Sequence, residues 1–233
     1  MHLFKKVNEL KAVILDMDGV LVDTEPTHMD AFDIFLKNYD LPSNPHILEG
    51  FIGFSVEENL RMLQEKHAIL QNKSHQELVD ERNKIFIDML AEGVHPMPGI
   101  VELLKLALHK KLKIALATSS DHNHADIVLK GLTANPEYEL NFPAVFDCIV
   151  GGDDVPAKKP APFIYQKALK ELGIKAENAF AIEDSVTGVK SAKGAGIYCF
   201  ALRNPYVNFN ENSGQDEIID SIMDVVSGLA SAL

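Results

Sequence analysis

Six residues have the types and settings to do chemistry together: Asp16, Asp18, Thr118, Ser119, Lys159 and Asp184. Asp16 and Asp18 stand two apart in Asp16-Met17-Asp18-Gly19, directly after the apolar run Ala12-Val13-Ile14-Leu15. In an extended segment residues i and i+2 point the same way, so both carboxylates can address one site. Gly19 allows the chain to turn there. An aspartate can attack phosphorus as a nucleophile, and a second carboxylate can protonate the leaving oxygen and then take a proton from water. The same tetrad also suits a plain turn or a calcium loop. A calcium loop needs further oxygen ligands at alternate positions, and Val20 and Val22 do not supply them.

Three other segments end apolar runs in the same manner. Thr118-Ser119-Ser120 follows Ile114-Ala115-Leu116-Ala117; its hydroxyl and N–H groups could hold phosphate oxygens, or simply cap a helix beginning near Asp121. Lys158-Lys159-Pro160-Ala161-Pro162 comes after the run Cys148-Ile149-Val150, its glycines Gly151-Gly152 and a loop. Lys159 is a compact cation suited to screening a phosphate from an anionic attacker, and as an isolated signal it equally reads as a solvated surface lysine. Glu183-Asp184-Ser185 follows Ala179-Phe180-Ala181-Ile182 and precedes a small-residue helix. Two acids there could complement the helix dipole. Alternatively, Asp16 and Asp184 could share a Mg²⁺ ion, which favours a few carboxylate oxygens plus water and substrate phosphate. Taken jointly the four segments favour phosphoryl transfer, which needs an in-line nucleophile and neutralised charge. Without Lys159 and a divalent cation, an anionic attacker would meet an anionic substrate.

These groups must be brought together by the elements that carry them. The short, non-alternating runs, with Tyr198-Cys199-Phe200-Ala201-Leu202 as a fifth, suit strands buried on both faces of a parallel sheet. Between them Ile100, Leu103, Leu104 and Leu108, then Ile164, Tyr165, Ala168 and Leu172, have helical spacing. Alternating strands and helices predict an α/β fold, a Rossmann-like doubly wound parallel sheet. Residues 22–94 break the rhythm. They show helical patterns (Phe32, Phe35, Leu36; Leu60, Leu63, Leu70; Ile85, Phe86, Met89, Leu90) and no strand, and return through a Pro/Gly hinge at Gly93–Gly99. They are expected to form an inserted α-helical cap domain over the sheet's carboxyl edge, where α/β ligand sites lie, with residues 1–21 and 95–233 as the catalytic core. The polar stretch Asn208–Gln215 is expected to be a loop before a final amphipathic helix.

The bulk properties are those of a soluble globular chain: 233 residues, 46% hydrophobic and 24% charged, an ordinary mix. A net charge of −12 offers no basic field for nucleic acid or anionic lipid. An acidic protein handling an anionic substrate needs its cations concentrated at the site. Cys148 and Cys199 fit neither a disulfide framework nor a metal-ligand spacing and read as small buried hydrophobes. No run approaches the roughly 20 apolar residues of a membrane span. Met1-His2-Leu3-Phe4-Lys5-Lys6 lacks the apolar stretch of a signal peptide, so the expected location is cytoplasmic and the expected partner a small phosphorylated molecule.

Asp16 through Glu25, Ala117-Thr118-Ser119-Ser120, Lys159-Pro160-Ala161-Pro162 and Ile182-Glu183-Asp184-Ser185 resemble the four ordered motifs of the haloacid dehalogenase superfamily. The position of the insert is similar to the helical cap of its branch holding β-phosphoglucomutase and sugar phosphatases. Gly151–Tyr165 and Asn204-Pro205-Tyr206 resemble the xylulose bisphosphatase group. The resemblance implies Mg²⁺ and an aspartyl-phosphate intermediate. It gives as metal ligands the Asp16 side chain, the Asp18 backbone carbonyl and Asp184, with Glu183 close by. Dehalogenases generally lack an acid two residues after the nucleophile, so Asp18 favours phosphate chemistry. Mutases carry an arginine soon after the cap glycine, and Gly53-Phe54-Ser55-Val56-Glu57-Glu58 has none. His28 matches a cap-hinge histidine of that branch or is a polar residue of the first cap helix. Arg82 is expected as an exposed helix arginine, the other option being substrate contact.

A phosphoacceptor signalling domain also unites an aspartate, a hydroxyl and a lysine on a doubly wound sheet, but needs neither a general acid like Asp18 nor a 70-residue insert. The expected function is therefore Mg²⁺-dependent hydrolysis of a small phosphomonoester, a sugar phosphate first, with a phosphosugar mutase as the alternative. Asp16→Asn is expected to abolish turnover and Asp18→Asn to cripple it, while chelation of Mg²⁺ stops the reaction reversibly. Continuous phosphate-release assays check all three, and near-normal turnover in either variant refutes the assigned role.

Overall fold

The computed structural model describes residues 9–51, 54–205, 207–210 and 213–231, with the side chain of Glu25 left aside. Gly53, Tyr206 and the N-terminal Met1–Lys6 segment, all used above, lie outside these residues. Two compact units are present, Thr24–Gly93 and a second made of Met1–Asp23 with Val94–Leu233.

The first unit is helical: α1 (Glu25–Asn38), α2 (Pro45–Glu49), α3 (Val56–Lys66) and α4 (His75–Glu92). Ser55 and Ser74 start α3 and α4 with complete capping boxes to Glu58 and Glu77, each satisfying two N–H groups that the helix leaves unpaired. Phe32, Phe35, Leu36, Leu60, Leu63, Leu70, Leu78 and Val79 form its own core. Arg82 departs from expectation. It is fully buried, with Nη2 2.6 Å from His28 Nδ1 and 2.9 Å from the His28 carbonyl. Its guanidinium lies 4.4 Å from the Phe32 ring centroid and 5.1 Å from that of Phe86. A guanidinium is planar and weakly hydrated, so it tolerates stacking between aromatic faces where an ammonium would not. Because guanidinium can only donate, His28 Nδ1 accepts and its ring proton sits on Nε2.

The second unit holds one six-stranded sheet: β1 (Ala12–Leu15), β2 (Lys113–Ala117), β3 (Cys148–Val150), β4 (Ala179–Glu183), β5 (Tyr198–Leu202) and β6 (Glu217–Ile219). All neighbours are parallel, in the order β3-β2-β1-β4-β5-β6. The helices α5 (Ile100–His109), α6 (His122–Thr133), α7 (Phe142–Val145), α8 (Phe163–Leu172), α9 (Val186–Gly194) and α10 (Ile222–Ser231) accompany it. This is the doubly wound α/β architecture expected. Every residue of β1 and β4 is buried, as continuous apolar strands inside a two-sided sheet must be. The direction of winding reverses between β1 and β4, and such a switch point opens a crevice outside the carboxyl ends of the strands.

Three details differ from the sequence reading. β6 is not expected from the sequence: it is a three-residue strand within an acidic surround, and Asp216 continues its pairing by donating its N–H to the Cys199 carbonyl at 3.0 Å, while its Oδ2 accepts from Cys199 N at 2.8 Å. Leu108 is 45% exposed, because the buried stripe of α5 is Ile100, Leu103, Leu104 and Ala107 and the next position falls at its edge. Of the two free cysteines Cys199 is buried and Cys148 only half-buried. Among the described residues no helix is long and apolar enough to cross a membrane. Ile14→Ala, at a fully buried site of a central strand, is expected to cost about 2–5 kcal/mol, whereas Leu108→Ala stays within about 0.5 kcal/mol of wild type. Urea-unfolding midpoints of the two variants measure the contrast.

Candidate active site

Asp16 immediately follows β1 and its N–H still bonds to the Ile182 carbonyl at 3.1 Å, so the nucleophile candidate is fixed by sheet pairing. After it the chain curls instead of continuing extended. The Met17 carbonyl accepts from Leu21 N at 2.8 Å and Val22 N at 3.1 Å, and Gly19 adopts φ +80°. A Cβ at Gly19 would come within 2.0 Å of Asp184 Oδ2. Glycine is therefore required twice, for its positive φ and for the close approach of a carboxylate to the backbone. Asp18 still faces the same cluster: Ser120 Oγ donates to its Oδ2 at 3.3 Å.

The hydroxyl segment after β2 is not a helix cap. Asp121 caps α6, accepting from His124 N at 2.8 Å. Thr118 is buried and its Oγ1 accepts from Ser120 N at 3.0 Å, which shapes the turn while leaving the hydroxyl proton to donate. Gly152 packs directly on this turn: its N–H bonds to the Ser120 carbonyl at 2.7 Å, and a Cβ there would meet the Ser119 carbonyl oxygen at 2.3 Å.

Lys159 is no surface lysine. Its side chain is 5% exposed, and Nζ donates to Asp16 Oδ1 at 2.6 Å, to Glu183 Oε1 at 2.6 Å and to the Ala117 carbonyl at 2.8 Å. All three ammonium donors thus have acceptors, on the ends of β1, β2 and β4. Burial disfavours its charge, but the Asp16 and Glu183 carboxylates outweigh that and raise its pKa, so it is an ammonium at every physiological pH.

Glu183 is fully buried and also accepts from Tyr165 Oη at 2.6 Å. Burial and the neighbouring Glu183 charge push the Tyr165 phenol well above its ordinary value, keeping its proton in place to donate. A Cβ at Gly188 would stand 1.9 Å from Glu183 Oε2. Tyr165 and Gly188 are site residues that the sequence does not single out: Tyr165 lies in a helical apolar pattern, and Gly188 in the small-residue helix after Ser185. Glu183 had been placed only as a neighbour of the metal ligands.

Asp16, Glu183 and Asp184 each offer an oxygen within 4.8 Å of the others. Burial first, then the charge of Glu183, raises the Asp16 carboxyl well above the carboxylate range despite Lys159. Burial likewise pushes Asp184 up to about 6. The physical cause is an excess of anionic groups over one ammonium in a desolvated place. Hard oxygen donors, one backbone turn pressed against Asp184 and surplus negative charge fit a hard divalent cation. Asp18 contributes no side-chain oxygen to this cluster; the resemblance had given it a backbone role.

A second acidic group, His122, Asp153 and Asp154, is closed by its own partners. His122 Nε2 meets Asp154 Oδ2 at 2.6 Å, Gly151 N donates to the same oxygen at 3.0 Å and Lys167 Nζ reaches Oδ1 at 3.1 Å. Burial opposes these contacts, but they hold Asp154 down to about 2. They tie the loop after β3 to the start of α6.

Residues 13–202 match the family model described as haloacid dehalogenase-like hydrolase. The chain is 34% identical over 190 residues to a phosphorylated carbohydrates phosphatase of Thermotoga maritima, covering 81% of this chain and 82% of the relative. It is 30% identical over 241 residues to protein CbbY of Cereibacter sphaeroides, covering 95% and 96%. Among solved structures, a candidate β-phosphoglucomutase from Thermotoga maritima superposes with a TM-score of 0.82 at 29% identity, covering 96% of this chain and all of that one. The chain belongs to the haloacid dehalogenase-like hydrolase family and is a phosphoric monoester hydrolase.

Proposed function

We propose that the enzyme hydrolyses a sugar phosphate through a phosphorylated Asp16. The observation that carries this reading is the buried Lys159 ammonium shared at 2.6 Å between Asp16 and Glu183, beside the acidic cluster of Asp16, Glu183 and Asp184. The carbohydrate class rests on the similarity to the Thermotoga phosphatase of phosphorylated carbohydrates.

Asp16, through the oxygen not engaged by Lys159, attacks phosphorus; the ester P–O bond breaks and Asp18 gives its proton to the departing sugar oxygen. Asp18, now ionised, takes a proton from water. The hydroxide so formed attacks phosphorus, the bond to Asp16 breaks, and free phosphate leaves with the carboxylate restored. Thr118 and Ser119 hold the non-bridging oxygens, and Lys159 offsets negative charge in a water-poor setting where electrostatic stabilisation is strong. Asp16, the Asp18 backbone carbonyl and Asp184 would hold Mg²⁺, which supplies Lewis-acid screening of the phosphoryl charge when bound. Glu183 orients Lys159, and Tyr165 orients Glu183. The sequence expectation of cytoplasmic location stands as part of this reading.

The test is phosphate release across sugar mono- and bisphosphates, phosphoglycolate and nucleotides, with Mg²⁺ and an Asp16→Asn control. Continuous release from a sugar phosphate is expected. Conversion to an isomer without free phosphate points to a mutase, and a single stoichiometric phosphorylation points to a phosphoacceptor domain.

Lys159→Met is expected to lower kcat by about 10²- to 10³-fold, the cost of removing one preorganised electrostatic group. Gly188→Ala is expected to lower both kcat and the melting temperature, because its methyl displaces the Glu183 carboxylate that holds Lys159. A Gly188→Ala enzyme with wild-type kcat shows that Glu183 does not orient the lysine.

A further inference from the structure

Four loops, after β1, β2, β3 and β4, carry the residues of the site. A fifth strand end reaches the same place. Asn204, half-buried just after β5, directs its side-chain amide Nδ2 to Asp184 Oδ2 at 2.8 Å. A carboxylate only accepts, so the amide necessarily presents its NH₂ group to it. The backbone of Gly19 is pressed against the same carboxylate, leaving 2.0 Å between Oδ2 and a Cβ built there and 2.5 Å to Cγ. Asp184 is thus confined between the turn after β1 and an amide from the loop after β5. An ionised carboxylate has about four lone-pair sites, so one amide hydrogen bond leaves it capacity to ligate.

We propose that Asn204 is a positioning residue for Asp184: it fixes the orientation in which that carboxylate meets the divalent cation, and so sets the enzyme's Mg²⁺ affinity. The proposal rests on the reading of Asp184 as a metal ligand. Hydrogen-bonded partners of ligating carboxylates characteristically hold them in one orientation, and their loss weakens binding about 10- to 100-fold. On this scheme Asn204 acts through Asp184. Its effect should appear in the metal requirement ahead of the chemical step.

The experiment is calorimetric titration of Mg²⁺ into the full chain, without substrate, for wild type, Asn204→Ala, Asn204→Leu and Asp184→Asn. Metal-free melting curves and Mg²⁺-dependent kinetics accompany it. Both Asn204 variants are expected to bind Mg²⁺ about 10- to 100-fold more weakly with an unchanged metal-free melting temperature. Asn204→Ala should regain wild-type kcat as Mg²⁺ is raised, with substrate KM unaltered. Wild-type Mg²⁺ affinity in the Asn204 variants, with Asp184→Asn unable to bind, overturns the role of Asn204 alone. So does an affinity loss seen only where the metal-free fold melts early. Undiminished Mg²⁺ binding by Asp184→Asn overturns the metal-site reading itself.

Discussion

A single buried ammonium organises the site. Lys159 spends its three hydrogen-bond donors on Asp16, Glu183 and the Ala117 carbonyl, groups at the ends of three adjacent strands. Removing charges from water is costly, and the cost is offset only where geometry is good and every donor and acceptor is satisfied. The surrounding structure supplies that condition. Tyr165 adds a second donor to Glu183, Gly188 makes room for its carboxylate, and the β1–β4 ladder ties Asp16 N to the Ile182 carbonyl. One cation nevertheless faces more than one carboxylate. The residual negative charge is what suits the place to a divalent ion and, with it, to a phosphorylated ligand.

Topology explains why these residues meet. Asp16 and the pair Glu183-Asp184 lie more than 160 positions apart, yet β1 and β4 are neighbours because the winding direction reverses between them. A crevice at such a switch point is a general property of doubly wound sheets. What is particular to this chain is the set of glycines that lets loops approach one another. Gly19 admits Asp184, Gly152 admits the carbonyl of Ser119, and Gly188 admits Glu183. Each replaces a side chain by an acceptor oxygen lying against bare backbone.

Much of the fold was legible because its strands are short, apolar on both faces and each followed by a polar turn. The runs at 12–15, 114–117, 148–150, 179–182 and 198–202 coincide with β1 to β5 within a residue. β6 was invisible because three residues among acids carry no periodic signal. Asp16 and Asp184 could be picked out by type at strand ends and Lys159 in the loop after β3, and the structure does bring them together. Tyr165, Gly188 and Asn204 could not, since their importance lies in which carboxylate they approach, a matter of distance that no spacing encodes. Arg82 misleads for the opposite reason: a charged residue on an amphipathic helix ordinarily faces water, and contacts with Phe32, Phe86 and His28 make its burial tolerable.

The strand order also bears on how the chain reaches this state. β1 leaves the ribosome first, yet both its partners, Lys113–Ala117 and Ala179–Glu183, are made far later. At synthesis rates of about 5–20 residues per second the nucleophile's strand waits on the order of ten seconds for its second neighbour. Until Lys113–Ala117 is made, that fully apolar segment has no strand to pair with, and until Ala179–Glu183 follows it is paired on one side only. The helical unit between them has a core drawn from residues within 29–85, and contacts so close in sequence form quickly. Nascent chains would then carry a helical bundle and a first strand that is unpaired until β2 emerges and keeps one open edge until β4 does, an aggregation-sensitive species.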